Sequence, residues 1–99
     1  MPRTIGSGSA RREAPGAKAA ERATEALLVV FGENFHQARI KAGLTQLDVE
    51  AQTGIKQAYI SQIECGRQNP TLATMTILAL AVGEEVRTLL KPPSTGKGR

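Results

Sequence analysis

The sequence holds one histidine, His36, and one cysteine, Cys65. His36 has no second histidine or cysteine with which to assemble a metal set, and it reads as a solvated or hydrogen-bonded surface residue. A lone thiol without a resolving partner is an ordinary small side chain before it is a redox switch. No pair of acids stands at a spacing suited to proton transfer, so neither an enzyme nor a cofactor is expected. The groups left with chemistry to offer are amides and cations. They gather in one stretch, GLTQLDVEAQTGIKQAYISQIECGRQNP, Gly43 to Pro70. An amide side chain donates and accepts hydrogen bonds together, which suits contact with a surface that presents both partners.

Those amides sit on two short apolar-periodic runs, each opened by a polar residue and closed by glycine. Thr45-Gln46-Leu47-Asp48 matches a capping box and starts the first run; Gly54 ends it. The second runs from Gln57 to Cys65, with Tyr59, Ile60 and Ile63 as its apolar positions and Gly66 as its stop. Ile55, between them, is placed to tuck into a core. Helices this short are marginal alone, so further helices must support them. Residues 18–42 supply one, with Leu28, Phe31, Phe35, Ala38 and Ala42 as its buried stripe and Gly32 as a candidate break. Thr71 caps a fourth over Leu72 to Ala81, with Leu72, Met75, Ala79 and Val82 facing inward. A short fifth, Glu84 to Leu90, ends before Pro92 and Pro93. No run has the period of a strand. The fold expected is all-α, a compact bundle of four to five short helices.

Composition sets the limits around that bundle. A chain of 99 residues suits one domain. Residues 1–17 are rich in Gly, Ser, Pro and Arg, so a disordered basic tail over 1–22, a domain over 23–91 and a second tail over 92–99 are expected. The net charge is +4, yet residues 27–91 are neutral and the excess lies outside them. Charge alone therefore does not assign a nucleic-acid partner to the folded part. One cysteine rules out an intrachain disulfide and fits a reducing cytoplasm. The longest apolar runs, 26–31 and 77–82, are six residues each, too short to span a membrane. The N-terminus has no apolar segment of a secretory signal.

Two short helices joined at a glycine hinge over supporting helices make a helix-turn-helix, whose second helix protrudes toward a DNA major groove. LTQLDVEAQTGIKQAYISQIECGRQNP resembles the Cro/C1-type (XRE-like) helix-turn-helix family, with a lambda-repressor-like DNA-binding domain. The likeness rests on "LTQ", on Gly54-Ile55, on "ISQIE", Gly66-Arg67 and Asn69-Pro70, and on Arg39 in the first helix. It covers residues 33–83, reaching toward 90, and leaves both tails out.

The resemblance implies that Gln46 contacts a phosphate and braces Gln57, at the start of the recognition helix. Lys41, Tyr59, Arg67 and Asn69 are the other phosphate candidates. Lys56, Gln57, Ala58, Ser61 and Gln62 become the base-facing set: glutamine suits the N6/N7 edge of adenine, lysine suits guanine or phosphate, and alanine suits a thymine methyl. Arg39 and Glu64 are expected to form an ion pair beneath the motif that orients the recognition helix. The partners implied are double-stranded DNA and a second copy of the chain, the role that of a repressor in the cytoplasm or on the nucleoid of a prokaryote or phage. The competing reading is a protein-interaction module of antitoxin or anti-activator type.

The sequence departs from the family at Glu50, where a small residue is usual. Either the carboxylate escapes to solvent or finds Lys56, or Ala51 takes over the packing through a small helix rotation. Ile77 and Leu80 lie off the inward stripe of the fourth helix. With Val86, Leu89 and Leu90 they form an expected dimer or partner surface, unless Ala26–Val30 folds back over them.

Overall fold

The computed structural model describes residues 14–93. Within them lie five α-helices and no strand: α1 Ala14–Lys41, α2 Gln46–Thr53, α3 Gln57–Glu64, α4 Leu72–Ala81 and α5 Val86–Leu89.

The short helices begin where local chemistry starts them. The Thr45 hydroxyl accepts the Asp48 N–H at 2.9 Å, and the Thr45 N–H donates to Asp48 Oδ2 at 2.8 Å. The bond donated by the Thr45 N–H, and after it the Thr45 hydroxyl, holds the Asp48 carboxyl below its usual range. Thr71 caps α4 in the same way, accepting the Thr74 N–H at 3.1 Å. Gly54, at φ 80°, ends α2 in the left-handed region, where a side chain would be strained. The chain turns there, and Ile55 packs against the core.

The core is apolar and closely shared. Phe31, Phe35, Val49, Ile60, Ile63, Met75, Leu78, Ala79, Val82 and Leu89 are its buried members. Phe31 and Phe35 stack with centroids 6.2 Å apart. The inward face of α4 is Met75, Leu78, Ala79 and Val82, at i, i+3, i+4 and i+7. Leu72 does not join it: it is 64% exposed, on the first turn beyond Thr71, and Leu78 is fully buried in its stead. Ala42 is likewise exposed, because α1 has already ended at Lys41.

Three further expectations change. Helix α1 does not break at Gly32; it runs unbroken for 28 residues, roughly 42 Å at 1.5 Å per residue. Gly32 lies where α1 meets the end of α3: a Cβ there would sit 2.4 Å from the Ile63 carbonyl oxygen and 2.8 Å from that of Glu64. The glycine serves close approach, not a bend. Helix α1 also starts at Ala14, ahead of the start expected at residue 18, so the helix reaches into the segment assigned to the tail over 14–22. Residues 16–22 are exposed, and strong helix formers carry that segment without burial. The tail segments 1–13 and 94–99 lie outside the described residues.

The third change concerns the surface assigned to a partner. Leu89 is 3% exposed and belongs to the core. Asn34 on α1 holds it there, its Nδ2 donating to the Leu89 carbonyl at 2.9 Å and to that of Lys91 at 2.7 Å. Val86 and Leu90 are half-buried against the core. Ile77 and Leu80 stay exposed, at 46% and 68%, so 26–30 does not cover them.

Candidate nucleic-acid interface

Helix α3 buries Ile60 and Ile63 and turns Ala58 and Gln62 fully outward, with Gln57 and Ser61 half-exposed beside them. Lys56 is exposed at its start. Tyr59 is half-buried against the core, which separates it from the outward group.

Beneath that face lies a hydrogen-bonded chain. Arg39 and Glu64 are 7% and, at the side chain, 6% exposed. Arg39 Nε donates to Glu64 Oε2 at 2.6 Å, and its Nη2 to Oε1 at 3.0 Å. Its Nη1 donates to the Leu44 carbonyl at 2.9 Å, tying the α1–α2 turn to the pair. Oε1 also receives Gln46 Nε2 at 3.0 Å and lies 2.7 Å from His36 Nδ1. Burial pushes the Glu64 carboxyl upward, but hydrogen bonds from Arg39, His36 and Gln46, with the Arg39 charge, outweigh it and hold the group below its ordinary range. The hydrogen bond to Glu64 raises the Arg39 pKa against the opposing effect of burial. From Gln46 the chain continues outward: Gln57 Nε2 donates to Gln46 Oε1 at 2.5 Å.

Gln57 is held a second time, through its backbone. Lys56 caps α3 with no side-chain bond, and Glu50 on α2 supplies the acceptor instead, Oε1 taking the Gln57 N–H at 2.8 Å. Its other oxygen lies 4.0 Å from Lys56 Nζ, a contact that solvent screens. The carboxylate thus sits at the positive end of α3, where a helix favours it. Ala51 is exposed and takes over no packing. Replacing Glu50 by alanine is expected to cost about 1 kcal/mol in urea denaturation, the usual worth of a cap, while glutamine keeps an acceptor and most of the stability.

The loop residues divide. Arg67 is exposed and joins no ion pair among the described residues. Asn69 is exposed too, but it lines a shallow groove with Glu21, Glu25 and Leu28 of α1, whose carboxylates oppose a phosphate there. Gln68, which the sequence did not single out, donates to Gln62 Oε1 at 2.5 Å and steadies it. Lys41 borders a depression with Glu84 and Lys91, so it faces α5 rather than α3. His36 was readable only as a surface residue; its i, i+3 spacing to Arg39 is the one signal that placed it on the face of the pair. Among the described residues no group of three metal-ligating side chains forms, and no helix is long and apolar enough to cross a membrane.

Known proteins resemble this chain in sequence and fold. A family profile described as helix-turn-helix matches residues 35–89. An uncharacterised HTH-type transcriptional regulator, y4dJ of Sinorhizobium fredii, is 46% identical over 63 residues, covering 64% of this chain and 82% of the relative. The hypothetical transcription factor NHTF from Neisseria superposes with a TM-score of 0.64 at 31% identity, over 68% of this chain and 77% of its own. The restriction-modification controller C.AhdI from Aeromonas hydrophila does so at 0.59 and 32% identity, over 63% and 94%. A capped α2, a glycine hinge, an outward amide face on α3 and these likenesses converge on one assignment: the chain belongs to the Cro/C1-type helix-turn-helix family of DNA-binding transcriptional regulators.

Proposed function

We propose that the protein is a sequence-specific repressor that inserts α3 into the major groove and acts as a dimer. The observation that carries this is the double hold on Gln57, by Glu50 at its backbone and Gln46 at its side chain, on a half-exposed face of the helix. A pre-oriented amide loses little freedom on meeting a base edge. With one N–H given to Gln46, Gln57 keeps its carbonyl and a second N–H, the pair that adenine N6 and N7 require. Gln62, Ser61, Ala58 and Lys56 extend that face. Gln46 and Arg67 set register on phosphates, with Arg67 the less encumbered, while the carboxylates beside Asn69 weigh against a third contact there. The dimer reading rests on α4: Leu72, Ile77 and Leu80 are exposed, and Leu72–Ala81 holds no charged residue. A twofold axis through that face would present two copies of α3 to successive half-sites.

The test is a gel shift with duplex DNA from upstream of the protein's own gene. Wild type is expected to retard it, and Gln57→Ala to bind about tenfold or more weakly, the worth of one bidentate base contact. Leu80→Asp is expected to sediment as a monomer and to lose further affinity. Equal binding by Gln57→Ala would overturn the groove reading. The exposed apolar face of α4 also favours a second reading, a module that docks another protein; failure of wild type to bind any duplex selected from a random library would favour it.

A further inference from the structure

We propose that His36 is a positioning residue for base recognition, acting on Gln57 through Glu64 and Gln46; this rests on the DNA-reading role of α3. Its ring is the solvent-facing end of the buried chain. The side chain is 44% exposed and borders an open groove with Glu33, Ser61 and Cys65, and Nδ1 lies 2.7 Å from Glu64 Oε1.

The ionised carboxylate fixes the direction of every bond along the chain. It can only accept, so Gln46 turns its NH2 group to Glu64 and its carbonyl to Gln57. For the same reason His36 Nδ1 carries the hydrogen, and Nε2 of the neutral ring is left with its lone pair. Arg39 Nη2, 3.2 Å from Nδ1, is then a neighbouring positive charge and not a hydrogen-bond donor to the ring. Oε1 is shared by three donors: His36, Arg39 and Gln46.

A second proton on His36 enters at Nε2 and strengthens the donor at Nδ1. The imidazolium then competes with the neutral Gln46 amide for Oε1. The charged and titratable groups around it are Arg39 and Glu33 on α1, and Glu64 and Cys65 at the end of α3. Gln46 loosens, and Gln57 with it. The quantity affected is discrimination at the base pair that Gln57 reads. Comparing two duplexes of equal charge cancels the general gain in phosphate attraction on acidification.

The probes are the duplex selected by wild-type protein from a random library and the same duplex with one A·T pair at the Gln57 position exchanged for G·C. For wild type, the affinity ratio of the two is expected to fall by about threefold between pH 8 and pH 5.5, within the range of side-chain coupling. His36→Asn keeps an N–H donor near the place of Nδ1 but does not titrate, so its ratio should stay flat and near the wild-type value at pH 8. His36→Leu removes the competing donor altogether, so its ratio should also stay flat with pH and lie no lower than the wild-type value at pH 8. A second arm needs no DNA: in the free protein the side-chain NH2 signals of Gln46 and Gln57 should move with the His36 ring titration and stop moving in His36→Asn. If the ring titrates while both amides stay still, or if the His36→Leu ratio falls on acidification as the wild-type ratio does, the inference is overturned. If wild type selects no duplex, the DNA-reading role itself fails and takes this inference with it, and the amide arm tells the two failures apart.

Discussion

Exchanging Glu64 for glutamine is expected to remove about 3–5 kcal/mol of stability, the cost of leaving one member of a buried ion pair without its partner. Arg39 is 7% exposed and cannot swing out to water without leaving its bonds to α3 and Leu44. A glutamine carbonyl could still accept one donor, but its NH2 would face donors on the other side. A domain of this size is normally stable by 5–15 kcal/mol, so urea denaturation should show the loss plainly. A change below about 1 kcal/mol would mean the pair is more hydrated than the structure indicates.

Acid should reveal the same pair. The Glu64 carboxyl has a folded pKa below its unfolded one. Such a group contributes in full above the unfolded value of about 4.3, and the contribution fades as pH falls from there through the lower folded value. The wild-type Tm should therefore drop across that window more steeply than that of Glu64→Gln. A double change, Arg39→Met with Glu64→Leu, removes both charges together and should restore most of the stability. It should not restore the hold on Gln46, so stability and base recognition separate in that variant.

Gly32→Ala is the second large effect expected. Alanine in a helix interior is worth about 1 kcal/mol over glycine, and at an open position it would stabilise. At Gly32 the added carbon would stand 2.4 Å and 2.8 Å from two backbone carbonyl oxygens, which belong to α3 and cannot rotate aside as a side chain can. Helix α1 must retreat from α3, opening the contacts of Phe31 and Phe35 on either side. Overpacking of this kind costs about 1–3 kcal/mol or more, so the balance is destabilising. A fall in Tm of several degrees is expected, whereas Gly16→Ala, with nothing within 4 Å of its Cβ, should not lower it. A stabilised Gly32→Ala protein would show that the two helices are not in such close approach.

What the sequence made legible was local. Thr45 with Asp48, Thr71 and Gly54 announce helix ends because a cap is chemistry between residues three or four apart. The apolar periods of α1 and α3 were equally plain at Phe31, Phe35, Ile60 and Ile63. The Gln46–Gln57 and Arg39–Glu64 pairings came from resemblance, since nothing in their separations demands them. What stayed hidden depended on which groups face one another across elements. Glu50 looked like a defect because its acceptor role exists only once α3 begins beside it. Gly32 looked like a break because glycine says the same thing locally whether it bends a helix or admits a neighbour. Helix-forming residues marked 18–22 as helical, but the buried stripe begins only at Leu28, so residues 16–22, exposed throughout, were equally legible as tail. Leu72 and Leu78 exchanged places because a period fixes a face and not where the neighbouring elements stop.

The tie from Asn34 to the carbonyls of Leu89 and Lys91 spans 55 and 57 residues of sequence. On the ribosome, α1 is therefore finished long before its last fastening exists. A nascent chain that has cleared the ribosome only as far as Gly83 would hold all four longer helices with the site for Leu89 unfilled and the carbonyl partners of Asn34 not yet in place. Emergence of α5 from the ribosome, rather than of α3, is the step that seals the domain.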